Sequence, residues 1–257
     1  MLYNEICFNT SGSICEIILN RPSRRNAISL SMLQELHHAT KRLSGLNHIN
    51  VILLRSNDPD FFSAGGDLRD IVSVSNEEAY ELGNRVSEVF GSFTRLPQVV
   101  IACMKGKVMG GGAELCLYAD IRIAHENLCF VLPEVQHNMI PGAGGVSMLS
   151  RISGIGNSLY MLLTAREINA VEAKNMGLVQ DVFSDNNYEM CIAELCTKIS
   201  SSPIEIIDTV KRLAWNNLSE PIGYCLNMES KEFGSLLNRF GRNRIEAFFE
   251  AKNKKIK

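Results

Sequence analysis

The chain has 257 residues, 46% of them apolar, with 26 basic and 28 acidic side chains and a net charge of −2. This length and composition describe a globular protein with a substantial core and exclude a disordered chain, while the even charge balance excludes nucleic acid as the main partner. No apolar run approaches the ~20 residues that span a bilayer, so no membrane association is expected, and the N-terminus lacks a signal-peptide pattern.

Ile6-Cys7-Phe8 and Ile14–Leu19 are predicted as paired strands across the Gly-containing turn Asn9–Ser13. Ser29-Leu30-Ser31 opens a helix, and Met32, Leu33, Leu36, Ala39 and Leu43 follow at helical spacing. Val51–Leu54 is a short buried strand, Asn57–Asp60 a turn, and Phe61–Leu68 a Gly-containing turn. Asn76 to Leu96 reads as one long helix with Ala79, Leu82, Val86, Val89, Phe90 and Phe93 on one face. Gln98–Met104 is the next strand. A helix then runs from the Gly110-Gly111-Gly112 turn to Tyr118, and a β-like segment covers Ile121–Leu132.

After Pro141–Gly145, helices are expected over Val146–Ile152, Ser158–Leu163 and Ala170–Met176, the last stopped by Gly177. Leu178–Phe183 reads as a strand. Beyond Asn187 the strand signals stop, and Tyr188–Ser200, Pro203–Asn216, Ile222–Leu237 and Arg244–Lys252 all read as helices. The expected fold is therefore α/β, with a core over residues 1–187 and a helical region over 188–257. Phe233, Phe240, Phe248 and Phe249 in that region need an apolar partner surface, either the core or another subunit.

The eight cysteines stand at 7, 15, 103, 116, 129, 191, 196 and 225, with no C-x-x-C pair. They read as reduced thiols of a cytoplasmic protein. The histidines do not fall at ligand spacings to them, so no metal site is expected.

The stretch Ile101–Gly145 concentrates the chemistry. It holds two Gly-rich turns, Gly110–Gly112 and Pro141–Gly145, and two carboxyl groups, Glu114 and Glu134. Glycines let a backbone present its N–H groups to a ligand, and a helix N-terminus adds orphan donors. A glutamate beside such a turn can handle a proton while the turn holds developing negative charge. The plainer reading of either turn alone is a tight bend with a charge in the first turn of a helix.

Six ordered motifs resemble one family. Asn20-Arg21-Pro22 with Asn26-Ala27, Ser63–Leu68 (SAGGDL), Gly110–Leu115 (GGGAEL), Ala119–Ala124 (ADIRIA), Pro133-Glu134 with Ile140–Gly145, and Ala173–Val179 (AKNMGLV) resemble the motifs of the enoyl-CoA hydratase/isomerase, or crotonase, family. The likeness runs nearly the full length. It implies a spiral of β-β-α units with a helical C-terminal region, assembled as a homotrimer or a dimer of trimers. It implies an acyl-CoA thioester substrate, with coenzyme A as part of that substrate and no further cofactor.

The resemblance assigns roles by position. The backbone N–H groups of Gly66 and Gly111 would form an oxyanion hole for the thioester carbonyl. Glu114 would hold and activate water, and Glu134 would exchange a proton with the α-carbon. Gly142 would help position the water. Ala64, Gly65, Asp67, Leu68 and Arg69 would contact coenzyme A, with Arg24, Arg25 and Lys252 as candidates for its phosphates. Both glutamates together favour reversible hydration of a trans-2-enoyl-CoA; double-bond isomerisation, or another acyl-CoA lyase reaction, is the alternative. A non-catalytic acyl-CoA binder is the third reading.

The sequence departs from the family pattern in three places. Lys105-Gly106-Lys107-Val108-Met109 replaces the usual lead-in, with both lysines read either as solvated or as ligands of an acidic tail or phosphate. His137-Asn138 follows Glu134. Asn138 suits a left-handed turn, and His137 is open to a structural, pocket-lining or acid–base reading. Glu250-Ala251-Lys252 replaces the basic C-terminal segment.

Overall fold

The computed structural model describes residues 3–254. A hairpin opens the fold: β1 (Ile6–Ser11) pairs antiparallel with β2 (Ile14–Leu19). Helix α1 (Leu30–Leu43) follows, capped by the Ser29 hydroxyl, which accepts from the Met32 N–H. Its apolar stripe, Met32 to Leu43, is buried as its spacing predicts.

Three successive units then repeat one pattern. A long strand enters one sheet, a short strand enters a second sheet, and a helix follows. They are β3 (Val51–Ser56), β4 (Phe61–Ser63), α2 (Leu68–Ser73) and α3 (Asn76–Ser92); β5 (Val99–Met104), β6 (Lys107–Met109) and α4 (Gly110–Leu117); and β7 (Ile121–His125), β8 (Cys129–Val131) and α5 (Gly145–Thr164). β9 (Ile168–Asn169), α6 (Ala170–Asn175) and β10 (Asp181–Phe183) close the spiral. Among the described residues the larger sheet runs β1-β2-β3-β5-β7-β10, parallel after the opening hairpin, and the smaller runs β4-β6-β8-β9.

β3 and β5 are apolar without alternation because both faces of the larger sheet are covered. Ile52, Leu54, Val100 and Ala102 face the main core with α1 and α3. Val51, Leu53, Ile101 and Cys103 face Tyr188, Ile192 and Cys196 of α7 (Tyr188–Ser200). Helices α8 (Ile204–Asn216), α9 (Ile222–Leu236) and α10 (Arg242–Lys254) follow. α8 is fastened by Lys211, whose buried ammonium donates to the carbonyls of Phe93 and Gln98 at 2.9 and 2.8 Å and pairs with Asp120 at 2.8 Å. Asp120 also accepts from Trp215 Nε1 at 2.6 Å.

Several expectations change in detail. The segment Ile121–Leu132 is two strands, one in each sheet, because a turn at Glu126–Asn127 divides it. The strand expected over 178–183 spans Asp181–Phe183; the amides of Leu178 and Val179 instead donate to Ala173 at the end of α6. The long helix ends at Ser92 and tightens into a 3₁₀ turn over Phe93–Arg95. α5 is broken at Gly154, with φ 78° and ψ 157°, between the two helices expected there. α2 lies between the turn expected over Phe61–Leu68 and the helix expected from Asn76, where the sequence predicts no element. Among the described residues no helix is long and apolar enough to cross a membrane.

Candidate active site

Gly110 takes φ +46°, which lets β6 turn straight into α4. Gly111 is the second residue of α4, where an amide has no partner inside its own helix. Glu114, three residues on, lies on the same face one turn deeper. The loop after β4 approaches this turn backbone to backbone. Gly65 has φ +98°, and a Cβ there would stand 3.2 Å from the Met109 carbonyl oxygen and 3.4 Å from the Gly111 nitrogen. A Cβ on Gly111 would stand 3.3 Å from the Gly66 nitrogen. The Gly66 amide has no acceptor among the described residues. Two N–H groups, one in the loop after β4 and one in the first turn of α4, are therefore neighbours.

Glu114 is 4% exposed. Its Oε1 accepts from the amides of Ala143 at 2.7 Å and Gly145 at 2.9 Å, so the second Gly-rich turn holds this carboxyl in place. That grip requires glycine at 145, where a Cβ would meet Pro141 at 2.5 Å and Glu114 Oε1 at 3.1 Å. Burial pushes the Glu114 pKa up to about 7; the two amides oppose this, and the neighbouring Glu134 charge adds to it.

Glu134 starts a 3₁₀ turn, Glu134–His137, closed by Asn138 in the left-handed region at φ 54°. Asn138 keeps the bend its side chain suits. Burial also raises the Glu134 pKa. Its Oε2 is buried with no hydrogen-bond partner among the described residues. A buried carboxyl oxygen left unpaired is costly, and this one sits on a cavity wall.

That cavity encloses about 300 Å³ and brings together Gly66, Asp67, Gly111, Glu114, Glu134 and Gly142. The other expected residues stand outside its wall. Ala64 and Gly65 form the loop behind Gly66, and Leu68 and Arg69 are exposed on α2. Arg24 and Arg25 are exposed, and the Arg25 guanidinium lies 5.0 Å from the Phe61 ring centroid. Asp67 has a structural task as well: it accepts from the Arg69 amide at the start of α2 and pairs with Arg21 at 2.7 Å, which holds its pKa down. Lys105 pairs with Asp185 at 3.0 Å, and Lys107, His137 and Lys252 are exposed; none of the four lines the cavity. Among the described residues no cluster of three or more His, Cys, Asp or Glu side chains is placed to hold a metal ion.

Sequence reasoning missed the apolar wall. Leu33 of α1, Ile71 of α2, Val86 and Phe90 of α3, and Met139 and Ile140 line it. The stripe on α3 was legible as a packed face, but its period cannot distinguish a core from a cavity wall.

A family model described as enoyl-CoA hydratase/isomerase matches residues 9–256. The chain is similar to "Probable enoyl-CoA hydratase 2, mitochondrial" of Arabidopsis thaliana, 32% identical over 253 residues that cover 98% of this chain and 84% of that protein. It is similar to a short-chain-enoyl-CoA hydratase of Clostridium acetobutylicum, 29% identical over 91% of this chain and 90% of that one. Among solved structures, an enoyl-CoA hydratase from Bacillus anthracis superimposes with a TM-score of 0.91 at 30% identity, covering 96% of this chain and 97% of that one. The spiral of β-β-α units is thus the crotonase fold that the motifs implied, and the chain belongs to the enoyl-CoA hydratase/isomerase family.

Proposed function

We propose that the protein is an enoyl-CoA hydratase, a hydro-lyase that adds water reversibly across the 2,3 double bond of a trans-2-enoyl-CoA. One observation carries this reading: two carboxyl groups and two neighbouring backbone amides share the wall of one cavity. As water attacks C3, the electron pair of the double bond moves through C2 onto the thioester oxygen. The Gly66 and Gly111 amides stabilise that enolate more than they stabilise the substrate; losing one such donor in other enzymes costs about 2.7–4 kcal/mol. Glu114 Oε1 is occupied by the Ala143 and Gly145 amides, which leaves Oε2 to hold the water and take its proton. Glu134 delivers a proton to C2, which completes the addition. Two carboxyls of raised pKa in one site support a division in which one is ionised and the other protonated near neutral pH.

In this reading Gly142 and its loop set the water's position through Glu114, and the segment Ala64–Arg69, exposed at Leu68 and Arg69, with Arg24, Arg25 and Lys252, is the approach for coenzyme A. The core over residues 1–187 carries the site. The helical region over 188–257 carries assembly into a homotrimer or a dimer of trimers, a reading supported by the exposed Phe233, Phe248 and Phe249. The free state of all eight cysteines supports a reducing compartment such as the cytoplasm. Incubation with trans-2-enoyl-CoA and, separately, 3-enoyl-CoA tests the function. Accumulation of the 3-hydroxyacyl thioester from the former supports it. Double-bond migration without water uptake would replace it with an isomerase, and binding without turnover with a non-catalytic carrier.

A further inference from the structure

The loop that carries the Gly66 amide is held by a segment distant in sequence. Residues 64–67 run beside residues 25–28. The Ala64 amide donates to the Arg25 carbonyl at 2.9 Å, the Ile28 amide to the Gly65 carbonyl at 2.8 Å, and the Asp67 amide to the Ile28 carbonyl at 2.9 Å. The last two bonds make a parallel bridge between Ile28 and Gly66. The Gly65 carbonyl and the Gly66 N–H belong to one trans peptide plane, in which they point opposite ways. Because that carbonyl is bonded to Ile28, the Gly66 N–H faces away from residues 25–28. The bridge therefore sets the direction of this donor.

The holding segment is itself strained. Arg25 and Asn26 have φ of 52° and 51°, two adjacent non-glycine residues in the left-handed region. Such backbone is costly, persists only where its surroundings over-determine it, and clusters at functional sites. Asn26 supplies the fixing. It is fully buried, and its amide donates to the Arg21 carbonyl at 3.0 Å while its Oδ1 accepts from the Arg21 amide at 2.6 Å. Its Nδ2 donates to the Ser56 hydroxyl, at the end of β3, at 2.7 Å. Its carbonyl accepts from the Ser63 hydroxyl at 2.7 Å, and that hydroxyl accepts from the Gly65 amide at 3.1 Å. Ser63 also lies against the first turn of α4, where a Cβ on Gly112 would overlap its side chain. One asparagine thus links the end of a core strand to the Gly66 loop and, through Ser63, to the turn that bears Gly111.

We propose that Asn26, acting through Ser63 and the Ile28–Gly66 bridge, is a positioning residue that aims the Gly66 amide at the thioester oxygen. It does not line the cavity. The proposal rests on the oxyanion reading of this site and deepens it. A tilt of the Gly65–Gly66 peptide weakens a hydrogen bond steeply without reshaping the cavity, so the loss falls on turnover more than on binding.

Asn26→Gly tolerates the left-handed backbone but severs both side-chain bonds. Ser63→Ala breaks the link to the Gly65 amide and leaves the strained pair untouched. Two readouts separate aim from stability. One is kcat and KM for water addition to crotonyl-CoA. The other is the infrared carbonyl stretch of bound butyryl-CoA, labelled with carbon-13 at the thioester carbonyl, which cannot be hydrated. Wild type is expected to move that stretch to lower frequency on binding. Asn26→Gly is expected to lose about half or more of the shift and about 10–10²-fold in kcat, with KM within about threefold, at a temperature where melting curves show folded protein. Ser63→Ala moves both readouts the same way, and decides the matter alone if Asn26→Gly does not fold. A full carbonyl shift with wild-type kcat in the folded variants overturns the proposal and leaves the hydratase reading intact. A wild type that shows no carbonyl shift and no turnover overturns both.

Discussion

Replacing Glu114 by glutamine separates the cost of this site from its use. Glu114 is buried, and its pKa rises from 4.5 to about 7. The unfolded chain, with its lower pKa, gives up this proton first as pH rises. Between about pH 4.5 and 7 the folded state therefore binds more protons than the unfolded state, and stability falls through that window. Above it the full penalty applies, roughly 3 kcal/mol at about 1.4 kcal/mol per pH unit. Glutamine keeps an oxygen that can accept from Ala143 and Gly145 but never ionises. Glu114→Gln is therefore expected to match the wild type at pH 4.5 and to exceed it by roughly 3 kcal/mol at pH 8, a gain of about 6–12 °C in melting temperature. Thermal unfolding of both proteins at the two pH values measures this. A variant no more stable than wild type at pH 8, or one stabilised equally at pH 4.5, would refute the reasoning.

Other perturbations follow from the same geometry. Gly145→Ala forces a methyl into Pro141 and Glu114; it should lower stability by about 1–3 kcal/mol in urea titration and reduce kcat. Gly111→Ala places a methyl 3.3 Å from the Gly66 nitrogen, in the space an oxyanion would need. It should lower kcat/KM by about 10²–10³-fold on the scale of a lost oxyanion donor while circular dichroism stays unchanged. Lys211→Met removes the ammonium that joins α8 to Asp120 and two carbonyls, and should destabilise the protein by about 3 kcal/mol in denaturant unfolding. Because Glu114 serves as a base only when ionised, kcat/KM should rise with pH through an inflection near 7, set by the raised Glu114 pKa.

The fold class was legible from the order of strands and helices, and the grouping of the candidate site residues from their closeness in sequence. Glu114, Glu134 and both glycine-rich turns lie within one stretch of chain, so their proximity is partly local. Glycine at 110 and 65 announces backbone that side-chain-bearing residues would strain, and both take positive φ. The same sequence could not reveal that β7 and β8 part into different sheets, since each alone is a plausible continuation of the other. α2 escaped notice because six residues form too few turns for a period, although Asp67 stands at its cap. The apolar wall and the Asp120–Lys211–Trp215 network join residues from distant segments, and no local pattern encodes such meetings. Lys105 illustrates the reverse: its unusual position invited a reading as a ligand of an acidic tail or phosphate, yet it pairs with Asp185 away from the cavity.

The most direct test of the two-carboxyl account is the initial rate of water addition to a trans-2-enoyl-CoA, followed by loss of the conjugated thioester absorbance, for wild type, Glu114→Gln and Glu134→Gln. The account predicts turnover by the wild type and a fall of at least about 10²-fold in each variant, on the scale of a lost acid–base group. Wild-type rates in either variant would contradict it.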